Sequence, residues 1–204
     1  ISTLILGVGT TITHAAIRSC AKANCTICWV GDDSLIFYAY GQTPTATTKN
    51  FNIQMKLACD PKNKLIVARN MFMFRFPASE VENKTLKELM GMEGFRVKKS
   101  YMDFAEKYDI DWKGRSYIPE KFQLSDITNR ILTSANSALY GVISSAIHSL
   151  GYSPHIGFVH SGSPLPFVYD IADLYKEYLT IDLAFALTAE MSVGDRHDKE
   201  SERR

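Results

Sequence analysis

The pattern of apolar and polar positions changes about forty residues into the chain. Short apolar, β-branched and aromatic runs at residues 4–8, 26–30 and 35–40 predict three strands, the first of which is expected to be buried. The glycine and aspartates at 31–33 predict a hairpin turn between the last two strands. Threonines at 10–13 are N-cap candidates for a helix over 14–20. The first part of the chain is therefore predicted to be a small β-rich unit with one helix.

The rest of the chain has a helical pattern. Helices are predicted over residues 51–59, from Asp60 to about residue 76, and over 85–108, 125–150 and a stretch from about Pro166. The fold class is thus α+β: an incomplete N-terminal β domain (1–42), a polar, proline-containing linker (43–49) and a larger all-helical catalytic domain (50–204). The charged tail at 194–204 is expected to be solvated or disordered.

One predicted helix has the strongest apolar periodicity and is expected to form the centre of the core. It runs over residues 125–150 and is followed by a glycine that suits a helix end. Its apolar positions at helical spacing are Ile127, Ile131, Leu139, Val142, Ile143 and Ala146.

Composition excludes only a few classes of protein. The 204 residues include 23 basic and 22 acidic residues, so net charge gives no sign of a nucleic-acid binder, although a local basic patch could still hold DNA. Four cysteines are too few for a disulfide scaffold, and Cys25 and Cys28 fall on opposite faces of a strand, which disfavours structural zinc. No apolar run has the length of a membrane span, so a soluble, intracellular protein is expected. A strand that begins at the first residue suggests a fragment of a longer chain.

Glu93 is a carboxylate on a mostly apolar helix stripe, where it requires a partner. An ion pair with Arg96, three residues on, is one interpretation. Gly91 and Gly94 favour another, because glycine weakens a helix interior and so suggests that something approaches the backbone closely there. A metal ion with bound phosphate would fit that description.

His160 ends an extended run at 155–160 and enters a loop at 161–166, and loops on a rigid core commonly carry function. A histidine hydrogen-bonded at a surface turn is the alternative. Asp170, Asp173 and Glu177 follow on one side of the next helix, whose apolar side would dock on the core. Two of these acids could instead merely favour the N-terminal half of the helix through its macrodipole. Carboxylates and an imidazole that converge on a cleft would suit Mg²⁺ or Mn²⁺.

One long motif gives the sequence a specific resemblance. Residues 157–173 read GFVHSGSPLPFVYDIAD, and this segment closely resembles the CRISPR-associated endonuclease and integrase family Cas1, subtype I-E. Supporting matches are GTTITHAA at 9–16, WVG at 29–31, GMEGFRV at 91–97, WKGR at 112–115 and ALYGV at 138–142. The resemblance extends to about residue 178, and relatives are expected to continue beyond both ends.

The resemblance implies a function and its residues. Glu93, His160 and Asp173 would be the ligands of Mg²⁺ or Mn²⁺, and Asp170 an acidic neighbour that supports catalysis. The reaction would be attack by a 3′-hydroxyl of captured DNA on a phosphodiester of the CRISPR repeat, with cleavage of branched DNA as the hydrolytic counterpart. The implied partners are DNA, a second copy in a homodimer and a Cas2 dimer, in the cytoplasm of a prokaryote.

Aromatic and basic residues are the expected DNA contacts. The aromatic positions are Tyr117, Tyr140 and Tyr169, which would stack on unpaired bases, with core packing as the alternative for Tyr140. Arg96 and Arg115 are the basic candidates. Ser163 stands where the resemblance leads one to expect lysine, so the motif read beside the captured DNA is expected to differ.

Two other functions stay open. A nuclease that resolves branched DNA on its own would cleave without Cas2. A catalytically silent DNA-binding scaffold, in which the acids only cap helices and pair with Arg96, would keep its DNA affinity after chelation of metal and in Asp173→Ala.

Overall fold

The computed structural model describes residues 2–30, 37–41, 47–116 and 125–201, and its N-terminal part is a three-stranded sheet. The strands are β1 (Ser2–Leu6), β2 (Cys25–Val30) and β3 (Phe37–Gly41). β1 is parallel to β2, and α1 (His14–Lys22) makes the crossover between them, while β3 is antiparallel to β2. The predicted β-rich unit with one helix is confirmed. The predicted hairpin turn and most of the predicted linker lie outside the described residues.

The first strand differs from its prediction in position and burial. It ends at Leu6, because Gly9 has a φ of +78° and the N–H of Thr10 donates to the carbonyl oxygen of Gly7 (3.2 Å), which turns the chain. Leu6 is buried, but Leu4 is 37% exposed and Val8 is 61% exposed. The expectation of a buried strand over 4–8 was therefore wrong for most of its length.

Helices account for most of the chain after the sheet. They are α2 (Lys49–Cys59), α3 (Pro61–Met73), α4 (Ala78–Val81), α5 (Leu86–Lys107), α6 (Ile127–Ser149), α7 (Pro166–Ala172), a π-helical segment (Glu177–Ile181) and α8 (Asp182–Ser201). The predicted small β domain followed by a helical one is confirmed. The tail was wrongly expected to be disordered, since the α8 backbone is helical to Ser201.

Local capping explains where two of these helices begin. The side chain of Asp60 accepts a hydrogen bond from the N–H of Lys62 (3.0 Å) at the start of α3. Thr85 and Glu88 form a capping box at the start of α5. These signals depend only on neighbouring residues, so the sequence predicted both starts.

Helix α6 lies at the centre, as predicted, and contacts β1, β2, α7 and α8. Its buried side differs from the predicted apolar stripe: Val142 and Ile127 are exposed, while Thr133 and Ser137 are buried. The two hydroxyls donate to carbonyl oxygens one turn back in the same helix (both 2.8 Å). Because each hydroxyl forms its hydrogen bond within its own helix, these small residues can be buried against several packed neighbours at once.

Two hydrophobic clusters support the helical part. The first surrounds Phe72 and Val168 and joins α3, α5, α6 and α7. The second surrounds Phe185 on α8, where Trp112 stacks on Tyr101 with ring centroids 5.2 Å apart. Within the described ranges, no helix has the combined length and hydrophobicity needed to cross a membrane.

Candidate active site

A cavity of about 570 Å³ opens where α3, α5, α6 and the segment after α7 meet. Glu93 reaches it from α5, His160 from the loop before α7, and Asp173 from the C-cap of α7. Glu93 is far in sequence from His160 and Asp173, and the fold brings all three residues to one cavity.

His160 is held in a fixed orientation by Asp170. Its Nδ1 donates to Oδ1 of Asp170 at 2.8 Å, which leaves Nε2 directed towards Oδ2 of Asp173 at 3.6 Å. Asp170 is buried and also accepts the backbone N–H groups of Phe158 (2.5 Å), Val159 (3.1 Å) and His160 (2.8 Å). Asp170 therefore fixes both the loop and the imidazole, and does not itself line the cavity.

The loop that carries His160 is not the extended run that was predicted. Residues 155–160 form turns and bends, because their backbone groups bond to Asp170 and Gln54 instead of to a strand. Buried Gln54 on α2 donates to the carbonyl oxygens of Ser153 and Ile156 (both 2.8 Å). The loop is thus tied to the core at both ends.

Position 157 in this loop admits only glycine. A Cβ on Gly157 would lie 2.6 Å from the carbonyl oxygen of His160 and 2.8 Å from Cβ of Pro166. Close packing of backbone on backbone, with no room for a side chain, brings the His160 loop against the start of α7.

Each acid on the cavity has a basic partner. Arg75, in the turn after α3, pairs with Glu93, and Lys176 pairs with Asp173 (2.7 Å). Arg96 pairs with Glu177 (2.6 Å), so the predicted intrahelical pair between Glu93 and Arg96 was wrong. Glu93 on α5 faces the turn after α3, where Arg75 lies. Arg96, about one turn further along α5, faces Glu177 instead.

These surroundings change three pKa values. Burial raises the pKa of Glu93, and Arg75 offsets this only in part. The hydrogen bond to Asp170 raises the pKa of His160 against the opposing effect of burial, and Asp173 adds to the rise. Burial would lower the pKa of Lys176, but Asp173 outweighs it and the pKa is raised. The protonated forms of His160 and Lys176 are therefore both favoured inside the cavity.

The donor chemistry of Glu93, His160 and Asp173 fits a divalent cation, but their present contacts do not yet form a coordination shell. Glu93 and Asp173 supply carboxylates, and His160 supplies an imidazole whose Nδ1 is held by buried Asp170. Two carboxylates and one imidazole are a common ligand set for Mg²⁺ or Mn²⁺. Among residues 2–30, 37–41, 47–116 and 125–201, no three His, Cys, Asp or Glu side chains are close enough to hold a metal ion together. Their charges are satisfied by Arg75 and Lys176 instead.

The expected DNA contacts have different surroundings. Tyr140 and Tyr169 line the cavity and meet edge to face, with centroids 5.2 Å apart. Arg115 also lines it, and donates to Oδ1 of Asn129 (2.7 Å) and to Oγ1 of Thr133 (2.9 Å). Tyr117 lies outside the described residues.

A Cβ on Gly91 or Gly94 would meet no atom of the described residues within 4 Å, and Gly94 lines the cavity. No described protein segment packs against α5 at these glycines, and the approach of a metal with bound phosphate stays a prediction. The macrodipole explanation for Asp170 and Asp173 is wrong, because they lie in the second half and at the C-cap of α7.

Three residues of the site were missed. Lys176, three residues after Asp173, could have been found from helical spacing. Arg75 has no local signal, since it comes from the turn after α3, and the need for Gly157 depends on tertiary packing.

Comparison with known proteins gives consistent matches. The family model described as CRISPR associated protein Cas1 matches residues 73–203. CRISPR-associated endonuclease Cas1 2 of Chlorobaculum tepidum is 61% identical over 98% of this chain and 68% of its own length. CRISPR-associated endonuclease Cas1 of Escherichia coli is 39% identical over 92% of this chain and 61% of its own length. The chain thus spans about two thirds of the length of such relatives.

Solved structures agree with the fold. The TtCas1–DNA complex superposes with a TM-score of 0.71 at 42% identity and covers 92% of this chain and 70% of its own. A casposase bound to its integration product superposes with a TM-score of 0.72, covering 95% of this chain and 62% of its own, but at 21% identity this likeness concerns the fold alone.

Proposed function

The chain belongs to the CRISPR-associated Cas1 family, and we propose that it carries the active site of a metal-dependent DNA endonuclease and integrase of subtype I-E. The observation that supports the proposal is the meeting of Glu93, His160 and Asp173 on one cavity, with His160 oriented by buried Asp170. Spacer acquisition would be the biological role, in the cytoplasm of a prokaryote.

The proposed reaction is a phosphodiester exchange. A 3′-hydroxyl of captured DNA attacks a repeat phosphodiester, forms a new P–O bond, and displaces the 3′-oxygen of the neighbouring nucleotide, which leaves as a hydroxyl. With water as the nucleophile, the same displacement cleaves DNA. Mg²⁺ or Mn²⁺ held by Glu93, Nε2 of His160 and Asp173 would supply polarisation of the phosphate and a position for the attacking oxygen.

The remaining cavity residues would bind and orient the DNA. Arg96 and Arg115 line the cavity, and their guanidinium groups would contact phosphate oxygens. The faces of Tyr140 and Tyr169 offer stacking surfaces for unpaired bases at the reacting end. We further propose that the chain works as a homodimer together with a Cas2 dimer.

Substitution of the three ligands tests the proposal. Glu93→Ala, His160→Ala and Asp173→Ala should each abolish Mn²⁺-dependent cleavage of labelled branched DNA and lose Mn²⁺ binding in calorimetry, with circular dichroism unchanged. Glu106→Ala, an exposed glutamate on the same helix as Glu93, is the matched control and should keep both. Cleavage retained in all three ligand variants would rule the assignment out. Repeating the assay with and without Cas2 separates the integrase from a stand-alone nuclease.

A catalytically silent DNA-binding scaffold is the second candidate, and one observation favours it. The acids on the cavity already have basic partners. Within the described part of the chain, no three metal-binding side chains are close enough to hold one ion together. A scaffold would bind DNA equally well with chelator present and in Asp173→Ala.

A further inference from the structure

Each acidic side chain on the cavity is paired with a basic one. The pairs are Arg75 with Glu93, Lys176 with Asp173, and Arg96 with Glu177. A divalent cation that binds Glu93 and Asp173 must therefore compete with charges that the protein itself supplies. Whether it can do so depends on which of these basic side chains is able to leave.

The two arginines are anchored at more than one point. Arg75 also donates to the carbonyl oxygen of Asp173 (3.1 Å) and lies over the Phe72 ring (5.1 Å). Arg96 also donates to the carbonyl oxygen of Arg75 (2.6 Å). Withdrawal of either guanidinium would break backbone hydrogen bonds inside the helical core, which makes both poor candidates for exchange.

Lys176 is held less firmly. It is anchored through side chains: its ammonium meets Oδ1 of Asp173, hydrogen-bonds with Tyr140 and lies over the Tyr140 ring at 5.1 Å. Its side chain is 25% exposed, against 9% for Arg75 and 22% for Arg96. A lysine has a flexible stem and donors that can rotate, so it can withdraw without moving the backbone.

We propose that Lys176 is a resident counter-cation of Asp173, which a divalent metal displaces when it binds. The inference rests on the proposed metal site. Oδ2 of Asp173 faces Nε2 of His160, so Oδ1, the oxygen that Lys176 holds, is the one that exchange would release. A half-buried carboxylate without a partner is costly, and Lys176 removes this cost in the metal-free protein. The same contact lowers the apparent affinity for metal.

Displacement also changes the charge of the cavity. The metal adds two positive charges while the ammonium stays tethered beside Tyr140, so the cavity becomes more positive when metal enters. A DNA phosphate would then meet a more attractive site. Metal binding is therefore expected to favour DNA binding.

Removal of the lysine charge tests the inference. Mn²⁺ binding is measured by calorimetry on wild type, Lys176→Met and Lys113→Met. Lys113 forms an exposed pair with Asp111 (2.6 Å), so it controls for loss of one lysine beside an aspartate. Lys176→Met should bind Mn²⁺ roughly tenfold more tightly or better, because no ion pair is broken, and its metal-free form should unfold at a lower temperature. Equal or weaker affinity in Lys176→Met would overturn the inference.

A second measurement covers the case in which Lys176→Met fails to fold. In wild type labelled at lysine Cε, saturating Mg²⁺ should shift the Lys176 signal and leave the Lys113 signal in place; an unmoved Lys176 signal overturns the inference. Asp173→Ala separates the two proposals. If Asp173→Ala loses Mn²⁺ binding and Lys176→Met is unchanged, only this inference fails. If Asp173→Ala binds like wild type, the proposed metal site itself fails.

Discussion

Single residues at this site have roles that their chemistry alone does not reveal. Asp170 has the side chain of a metal ligand, yet it is buried and fully used by three backbone N–H groups and by His160. Its position explains the orientation of the imidazole: because Nδ1 is the donor, Nε2 faces Asp173. Asp170 is therefore a positioning residue.

Asp170→Asn should lower the pKa of His160 in the metal-free protein, because an amide stabilises imidazolium less than a carboxylate does. In the wild type this pKa is raised. The resulting stability is fully present below the unfolded pKa, about 6.5, and is lost as pH rises through the higher folded pKa. The variant should show a smaller loss of stability over that window. NMR titration of the His160 ring and thermal unfolding at several pH values measure both effects, with Asp103→Asn as an exposed control. An unchanged His160 titration would contradict this role.

Sequence reasoning pointed to residues with distinctive neighbours, which the fold brings to one cavity, but not to their partners. His160 and Asp173 stand out in one long motif. The partner of Glu93 could not be predicted, because Arg75 and Arg96 are both basic and only the packing of α3 and the turn after it on α5 selects Arg75. Ion-pair choice is a tertiary property.

At the scale of elements, the loop before α7 is built by contacts at both of its ends. Gln54 binds its first half, Asp170 its second half, and Gly157 permits the close approach to α7. None of these contacts is local in sequence, which is why the loop was predicted as an extended run. The starts of α3 and α5 were predicted, because their caps are local.

Gly157→Ala should destabilise the fold by about 1–3 kcal/mol, since the new Cβ would meet a carbonyl oxygen and a proline ring that cannot move aside. Gly91→Ala is the matched comparison: it lies in α5 with open space around it, and should gain about 0.5–1 kcal/mol from helix propensity. Urea unfolding of both variants measures the difference. Equal stability of the two would show that the close contact at 157 relaxes freely.

At the scale of the whole molecule, the cavity lies between two hydrophobic clusters that support different walls. The Phe72 cluster holds α3, which leads into the turn with Arg75, and α7, which carries Asp170. The Phe185 cluster holds α8 and the segment around Trp112 against α5. The sequence predicted the class of fold and the central place of α6. The packing order of the helices was not predictable, because periodicity defines a buried face but not its neighbour.

Phe185→Ala should cost about 3–5 kcal/mol, because it removes a fully buried ring that contacts Trp112 and Tyr101. The orientation of His160 should persist, since Asp170 lies on α7, which the Phe72 cluster holds. Denaturant unfolding followed by tryptophan fluorescence, together with the His160 titration, measures both. Phe95→Ala, at an exposed phenylalanine on α5, should change stability by less than about 0.5 kcal/mol. Loss of the raised His160 pKa in folded Phe185→Ala would show that the clusters are not independent.

The π-helical segment at Glu177–Ile181 gives the C-terminal part of the chain a change of helical phase. A π-turn takes up one residue more than an α-turn, which rotates everything after it by about 100° relative to an uninterrupted helix. The residues before it direct Asp173 and Lys176 into the cavity, and those after it direct Phe185 into the second cluster. In an uninterrupted α-helix, positions 176 and 185 would lie about 180° apart, so the extra residue brings their two faces closer by about 100°. The change of phase therefore sets the angle between the cavity face and the packing face of this nearly continuous stretch of chain.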